Sequence, residues 1–64
     1  MKTDEQRLTN VRGVSEITAM KEVTVRKLIA QRRLACVRIG RAVRVEIREV
    51  ERFIRENTVP AVQQ

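Results

Sequence analysis

Histidine, tryptophan and tyrosine are absent from this 64-residue chain, and Phe53 is its single aromatic residue. Ser15 is the only serine and Asp4 the only aspartate, so no set of nucleophile, base and orienting acid can be assembled. We therefore expect no catalytic residues. The two glycines, Gly13 and Gly40, stand far apart and make no phosphate-cradling loop. A lone cysteine, Cys36, forbids an internal disulfide, and without histidine it offers no zinc site, so neither metal nor cofactor is expected. No run of 18 apolar residues is present to span a membrane. The opening MKTDEQRLTN lacks the apolar stretch of a secretory signal, which makes the host-cell cytoplasm the expected compartment. A chain this short is one domain at most, burying only about 60% of the surface its unfolded form exposes. Without staples, its fold rests on the apolar core alone.

Positive charge is what the sequence has in excess. Fourteen Lys and Arg against eight Asp and Glu leave a formal charge of +6 and a pI near 11.1. Its distribution says more than its sum. Residues 1–20 balance Lys2, Arg7 and Arg12 against Asp4, Glu5 and Glu16. Residues 46–64 set Arg48, Arg52 and Arg55 against Glu46, Glu49, Glu51 and Glu56. Between them, Lys21, Arg26, Lys27, Arg32, Arg33, Arg38, Arg41 and Arg44 face Glu22 alone. A merely solvated surface intersperses its signs, so this one-sign block predicts a contact surface for a polyanion.

The pattern along the chain predicts a loose terminus over 1–9, a folded domain over 10–57 and a loose tail over 58–64. Asn10 is placed to cap a first helix in which Val11, Val14, Ile17 and Thr18 share a face. Gly13 in its first turn costs about 1 kcal/mol relative to alanine, with no compensation evident in the sequence. A tight turn at 19–21 leads to a second helix over 22–31 with Val25, Leu28 and Ile29 inward. At 100° per residue, Val23 and Lys27 point away from that stripe, Arg26 and Ala30 lie on one flank, and Thr24 and Gln31 on the other. From 35 to 45 the period changes to two, which reads as a hairpin with Val37, Ile39, Val43 and Val45 on its buried face. A three-residue loop, 40–42, keeps those faces pure by pairing Ile39 with Val43, Val37 with Val45 and Arg38 with Arg44. A third helix over 46–56 is expected to bury Ile47, Val50, Phe53 and Ile54, with Glu51 and Arg55, and Arg52 and Glu56, paired on its wet face. Met20 and Cys36 read as core fillers. The fold class is mainly α with a small hairpin: three helices and a two-stranded wing.

The run TVRKLIAQRRLACVRIGRAVRV, followed by VERFI, resembles the excisionase-type DNA-binding family, small relatives of the MerR-type DNA-binding head. The resemblance covers about residues 10–55 and rests on Thr24 and Val25 with Leu28 and Ile29, on Leu34, on the 37–41 wing, and on Phe53 and Ile54. It implies a miniature winged helix-turn-helix whose second helix enters the major groove while the hairpin tip reaches a neighbouring minor groove. Residues Val23, Thr24, Arg26 and Lys27 are the expected recognition-helix contacts, with Arg26 or Lys27 suited to guanine and Val23 to a thymine methyl. Arg38 and Arg44 suit phosphates and Arg41 a narrow minor groove. Lys21, Arg32 and Arg33 are further phosphate candidates, although Arg32 and Arg33 equally suit the carbonyl end of the second helix. The chain departs from the family at Ala19, Met20 and Lys21, where Gly, an apolar residue and Ser are usual, and at Ala35 and Glu46, where Pro is common.

By resemblance the expected function is that of a recombination directionality factor of a phage or mobile element. Several copies would bind repeated sites on double-stranded DNA cooperatively, bend it, and direct a tyrosine integrase toward excision. The short stretch after the third helix suits architectural work without a small-molecule effector. A small transcriptional regulator would use the same helix and wing. A protein-binding adaptor, its basic surface meeting an acidic protein, is the reading from another class.

Overall fold

The computed structural model describes residues 7–62. The chain runs through strand β1 (Leu8–Thr9), helix α1 (Val11–Thr18), helix α2 (Glu22–Ala30), strands β2 (Val37–Ile39) and β3 (Ala42–Glu46), and helix α3 (Ile47–Glu56). Among the described residues, three helices thus accompany a small antiparallel sheet in the order β1-β3-β2, as the fold class expected, with one strand more. That strand precedes residue 10, where the folded domain was expected to begin. Leu8 and Thr9 pair with Glu46 and Val45, and Ile47 N–H donates to the Arg7 carbonyl at 2.8 Å. Residues 1–6 of the expected loose terminus and 63–64 of the tail lie outside the described residues. Residues 59–62 are exposed and belong to no helix or strand.

Asn10 caps α1 as its position demanded: its side-chain oxygen accepts from Gly13 N–H at 2.8 Å. Gly13 has its compensation after all. A Cβ there would stand 1.7 Å from Thr9 Oγ1 and 3.0 Å from Thr9 Cβ, so a larger residue at the β1-to-α1 corner would force the Thr9 side chain to move. After α1 the chain turns through Ala19 in the left-handed region (φ 60°), and Ser15 Oγ donates to the Met20 carbonyl to hold the turn. Lys21 occupies the cap position of α2 without a side-chain cap, as expected where serine is missing.

The core is Val14, Val25, Leu28, Leu34, Val45 and Val50, with Val11, Met20, Ile29, Cys36 and Phe53 packed around it. At about 1.5–3 kcal/mol for each fully buried aliphatic side chain, these few residues carry the stability of the domain. Met20 and Cys36 pack there as fillers, as read. Others do not. Ile17 and Ile54 are 49% and 41% exposed, so α1 and α3 bury narrower stripes than their apolar spacing suggested. Phe53 is only half-buried.

The hairpin register is the main correction. Val37 pairs with Arg44, Arg38 with Val43 and Ile39 with Ala42, around a two-residue loop of Gly40 and Arg41. Gly40 has φ +60° in the first loop position, where a type II′ turn requires it. This register mixes apolar and basic residues on each face, which is costly only where a face is buried. Burial is confined to β3, where Val45 is covered; all of β2 is exposed, with Val37 and Ile39 at 37% and 56%. In return, Arg38 and Arg44 are no longer directly opposed, and like-charge repulsion across the pair is relieved.

Candidate nucleic-acid interface

Helix α2 leaves Val23, Arg26 and Lys27 in solvent because its core stripe is filled by Val25 and Leu28. Val23 is 60% exposed, high for a valine in so small a domain, and Thr24 is half-buried. The first turn is held by Thr24 and Val25 N–H groups donating to the Lys21 carbonyl, which leaves the Lys21 side chain in solvent.

Past α2, Arg32 N–H donates to the Ile29 carbonyl at 3.0 Å and Arg33 N–H to the Leu28 carbonyl at 2.9 Å. That pair of bonds is a Schellman closure, with Arg32 in the left-handed position (φ 62°) that usually falls to glycine. Main-chain amides thus satisfy these helix carbonyls. The exposed Arg32 and Arg33 side chains are left for other partners, which weakens their reading as mere helix-end neutralisers.

A groove of about 900 Å³ runs between the start of α1, one flank of α2 and the wing. Arg12, Arg26, Arg32, Arg38 and Arg44 line it against one carboxylate, Glu22. The structure thus brings Arg26, Arg32, Arg38 and Arg44 together. Val23 and Lys27 on the outer face of α2, Thr24, Lys21, Arg33 and the loop-tip Arg41 lie outside that groove. Arg12 joins it unannounced, since it belongs to the charge-balanced first third of the chain and nothing in its spacing marked it.

Carboxylates sort these cations. Arg12 pairs with Glu16 at 3.7 Å and Arg26 with Glu22 at 3.4 Å, both exposed pairs that a stronger anion can displace. Among the described residues, Lys21, Lys27, Arg32, Arg33, Arg38, Arg41 and Arg44 have no carboxylate partner; Arg44 donates to the Val43 carbonyl at 2.9 Å. Acidic side chains instead engage the outer thirds: Glu46 with Arg7, and Glu49 and Glu56 with Arg52. Of the two pairs expected on α3, Arg52–Glu56 forms at 2.6 Å, whereas Glu51–Arg55 does not.

Glu49 is a second residue that sequence reading missed. Its side chain is only 14% exposed, and it accepts from the Ala35 amide at 2.9 Å and from Arg52 at 2.9 and 2.6 Å. Hydrogen bonding from Arg52 holds its carboxyl below the usual range against the opposing effect of burial, with the Ala35 amide contributing. The donor at 35 gives a reason for alanine there, because proline has no N–H to offer.

Among the described residues, no group of three or more potential metal ligands occurs, and no helix is long and apolar enough to cross a membrane. In comparisons with known proteins, the family model described as "Helix-turn-helix domain" matches residues 10–58. No curated protein and no solved structure gave a match.

Proposed function

The chain belongs to the helix-turn-helix family of DNA-binding domains, and from that premise we propose that it is a sequence-specific double-stranded DNA-binding protein of the excisionase type. In this reading α2 lies in the major groove and presents Val23, Thr24, Arg26 and Lys27 to base edges. The wing carries Arg41 toward the adjacent minor groove, and Arg38 and Arg44 meet phosphates, as do Lys21, Arg32 and Arg33. It performs no chemistry. Its work is architectural: copies bind side by side on repeated sites, bend the duplex and favour the excisive complex of a tyrosine integrase.

One observation carries the DNA-contact assignment: carboxylate-free Arg32, Arg38 and Arg44, with Arg26, converge on a single groove between α2 and the wing. The excisionase role is supported by the resemblance of the 24–45 stretch and of the VERFI segment. Footprinting on an attachment region, with and without integrase, tests both. Repeated adjacent protections, with a shift from integration to excision on adding the protein, are expected. Unchanged excision with altered promoter output would identify a transcriptional regulator instead. Absence of binding to any duplex at low salt would leave the acidic-protein adaptor.

A further inference from the structure

The wing is joined to the rest of the molecule more sparely than its proposed task requires. Among the described residues its outer strand β2 pairs only with β3, and all three residues of β2 are exposed. The segment leading into it, residues 31–36, contains no helix or strand, and Leu34 is its only fully buried side chain. Yet Arg38 and Arg44 must be held at a fixed distance from α2 if both are to follow one phosphodiester strand.

Beyond the apolar packing of the core, a side-chain hydrogen bond ties α3 to that segment. Glu49 Oε2 accepts from the Ala35 amide at 2.9 Å, two residues before β2 begins. The same carboxylate is fixed by Arg52, whose Nε and Nη2 reach Oε1 and Oε2, while Nη1 reaches Glu56 at 2.6 Å. A charged acceptor oriented by two guanidinium hydrogen bonds is a far stiffer anchor than a solvated surface carboxylate. Ala35 and its neighbour Cys36 line the arginine groove, whereas Glu49 does not. The anchor therefore acts on the groove wall from behind.

We propose that Glu49 is a positioning residue for DNA binding: from α3 it fixes the 35–36 segment and so sets the wing's arginines relative to α2. An acidic side chain thereby promotes binding to a polyanion without touching it. The inference rests on the DNA-binding reading above.

The test is a double-mutant cycle in duplex affinity between Glu49→Ala and Arg41→Ala, measured well below both melting transitions. With the anchor intact, Arg41→Ala weakens binding and lowers the log-log salt slope by about 1. In Glu49→Ala, affinity falls by about tenfold despite the gain in net positive charge, and adding Arg41→Ala then costs little more. Glu49→Gln, which keeps one carbonyl oxygen for the Ala35 amide, recovers part of the loss. Hydrogen exchange at the Ala35 amide accelerates in Glu49→Ala and less so in Glu49→Gln. If the alanine variant does not fold, Glu49→Gln replaces it in the cycle, with the same sign and a smaller effect. Unaltered or tighter binding by the Glu49 variants, or strictly additive losses, would overturn the inference while leaving DNA binding in place. No binding by the unsubstituted chain would remove the reading beneath it, and the inference with it.

Discussion

At the scale of single residues, two non-glycine positions among the described residues hold left-handed backbone, and they separate architecture from binding. Ala19 (φ 60°) sits in the turn between α1 and α2, and Arg32 (φ 62°) closes α2. Each conformation costs an L-residue roughly 1–2 kcal/mol that glycine avoids, partly offset by glycine's greater freedom in the unfolded chain. Ala19→Gly should therefore stabilise the domain by about 1 kcal/mol, raising the melting temperature by about 4–8 °C, with duplex affinity unchanged. Arg32→Gly should raise the melting temperature similarly but weaken DNA binding, since the side chain lines the groove. Thermal melts and titrations on the same samples check the pair; loss of stability at either position would contradict the strain assignment. Gly13 is the converse case. Gly13→Ala raises helix propensity by about 1 kcal/mol, yet overpacking against Thr9 costs about 1–3 kcal/mol, so melting should fall or at best hold. In a Thr9→Ala background, removal of Oγ1 should make the same substitution less damaging or beneficial.

At the scale of elements, a folded α3 should lose its hold on the 35–36 segment in acid. The Glu49 carboxyl titrates below its ordinary range in the folded state, chiefly through Arg52. The unfolded chain therefore takes up the proton first, and the stabilisation is fully present above the unfolded value of about 4.3. It is lost as pH falls through the lower folded value. Wild-type stability should decline across that acid window more steeply than that of Glu49→Gln, as melts at successive pH values would show. The helices that carry this network were legible from apolar spacing, as were the Asn10 cap and the core positions Val14, Val25, Leu28 and Val50. What escaped was decided away from local pattern. β1 is two residues long, too short for alternation to register, and is defined by pairing with β3 across the domain. The hairpin register followed from how little of the wing is buried, which no period-two count contains. Glu49 looks like one more charge on a wet helix because its partner is a main-chain amide 14 residues away.

At the scale of the molecule, the charge block became a surface by a simple division of labour. Carboxylates of α1, α3 and the end of β3 pair largely with arginines of the outer thirds, leaving most central cations without carboxylate partners. The wing and the start of α1 then bring part of that block to one side of α2. The sequence block was visible beforehand; the participation of Arg12, and the exclusion of Lys27 and Arg41 from the groove, needed the fold. Those two need not line the groove to bind, because α2 is proposed to meet base edges with its outer face and the wing a minor groove with its tip.

A surface of this kind has a measurable signature in counterion release. The dependence of duplex binding on salt concentration should give a log-log slope of about −4 to −5, equivalent to about five neutralised phosphates. A slope near zero, or no binding to any duplex at low salt, would contradict the assignment of the central arginines to DNA.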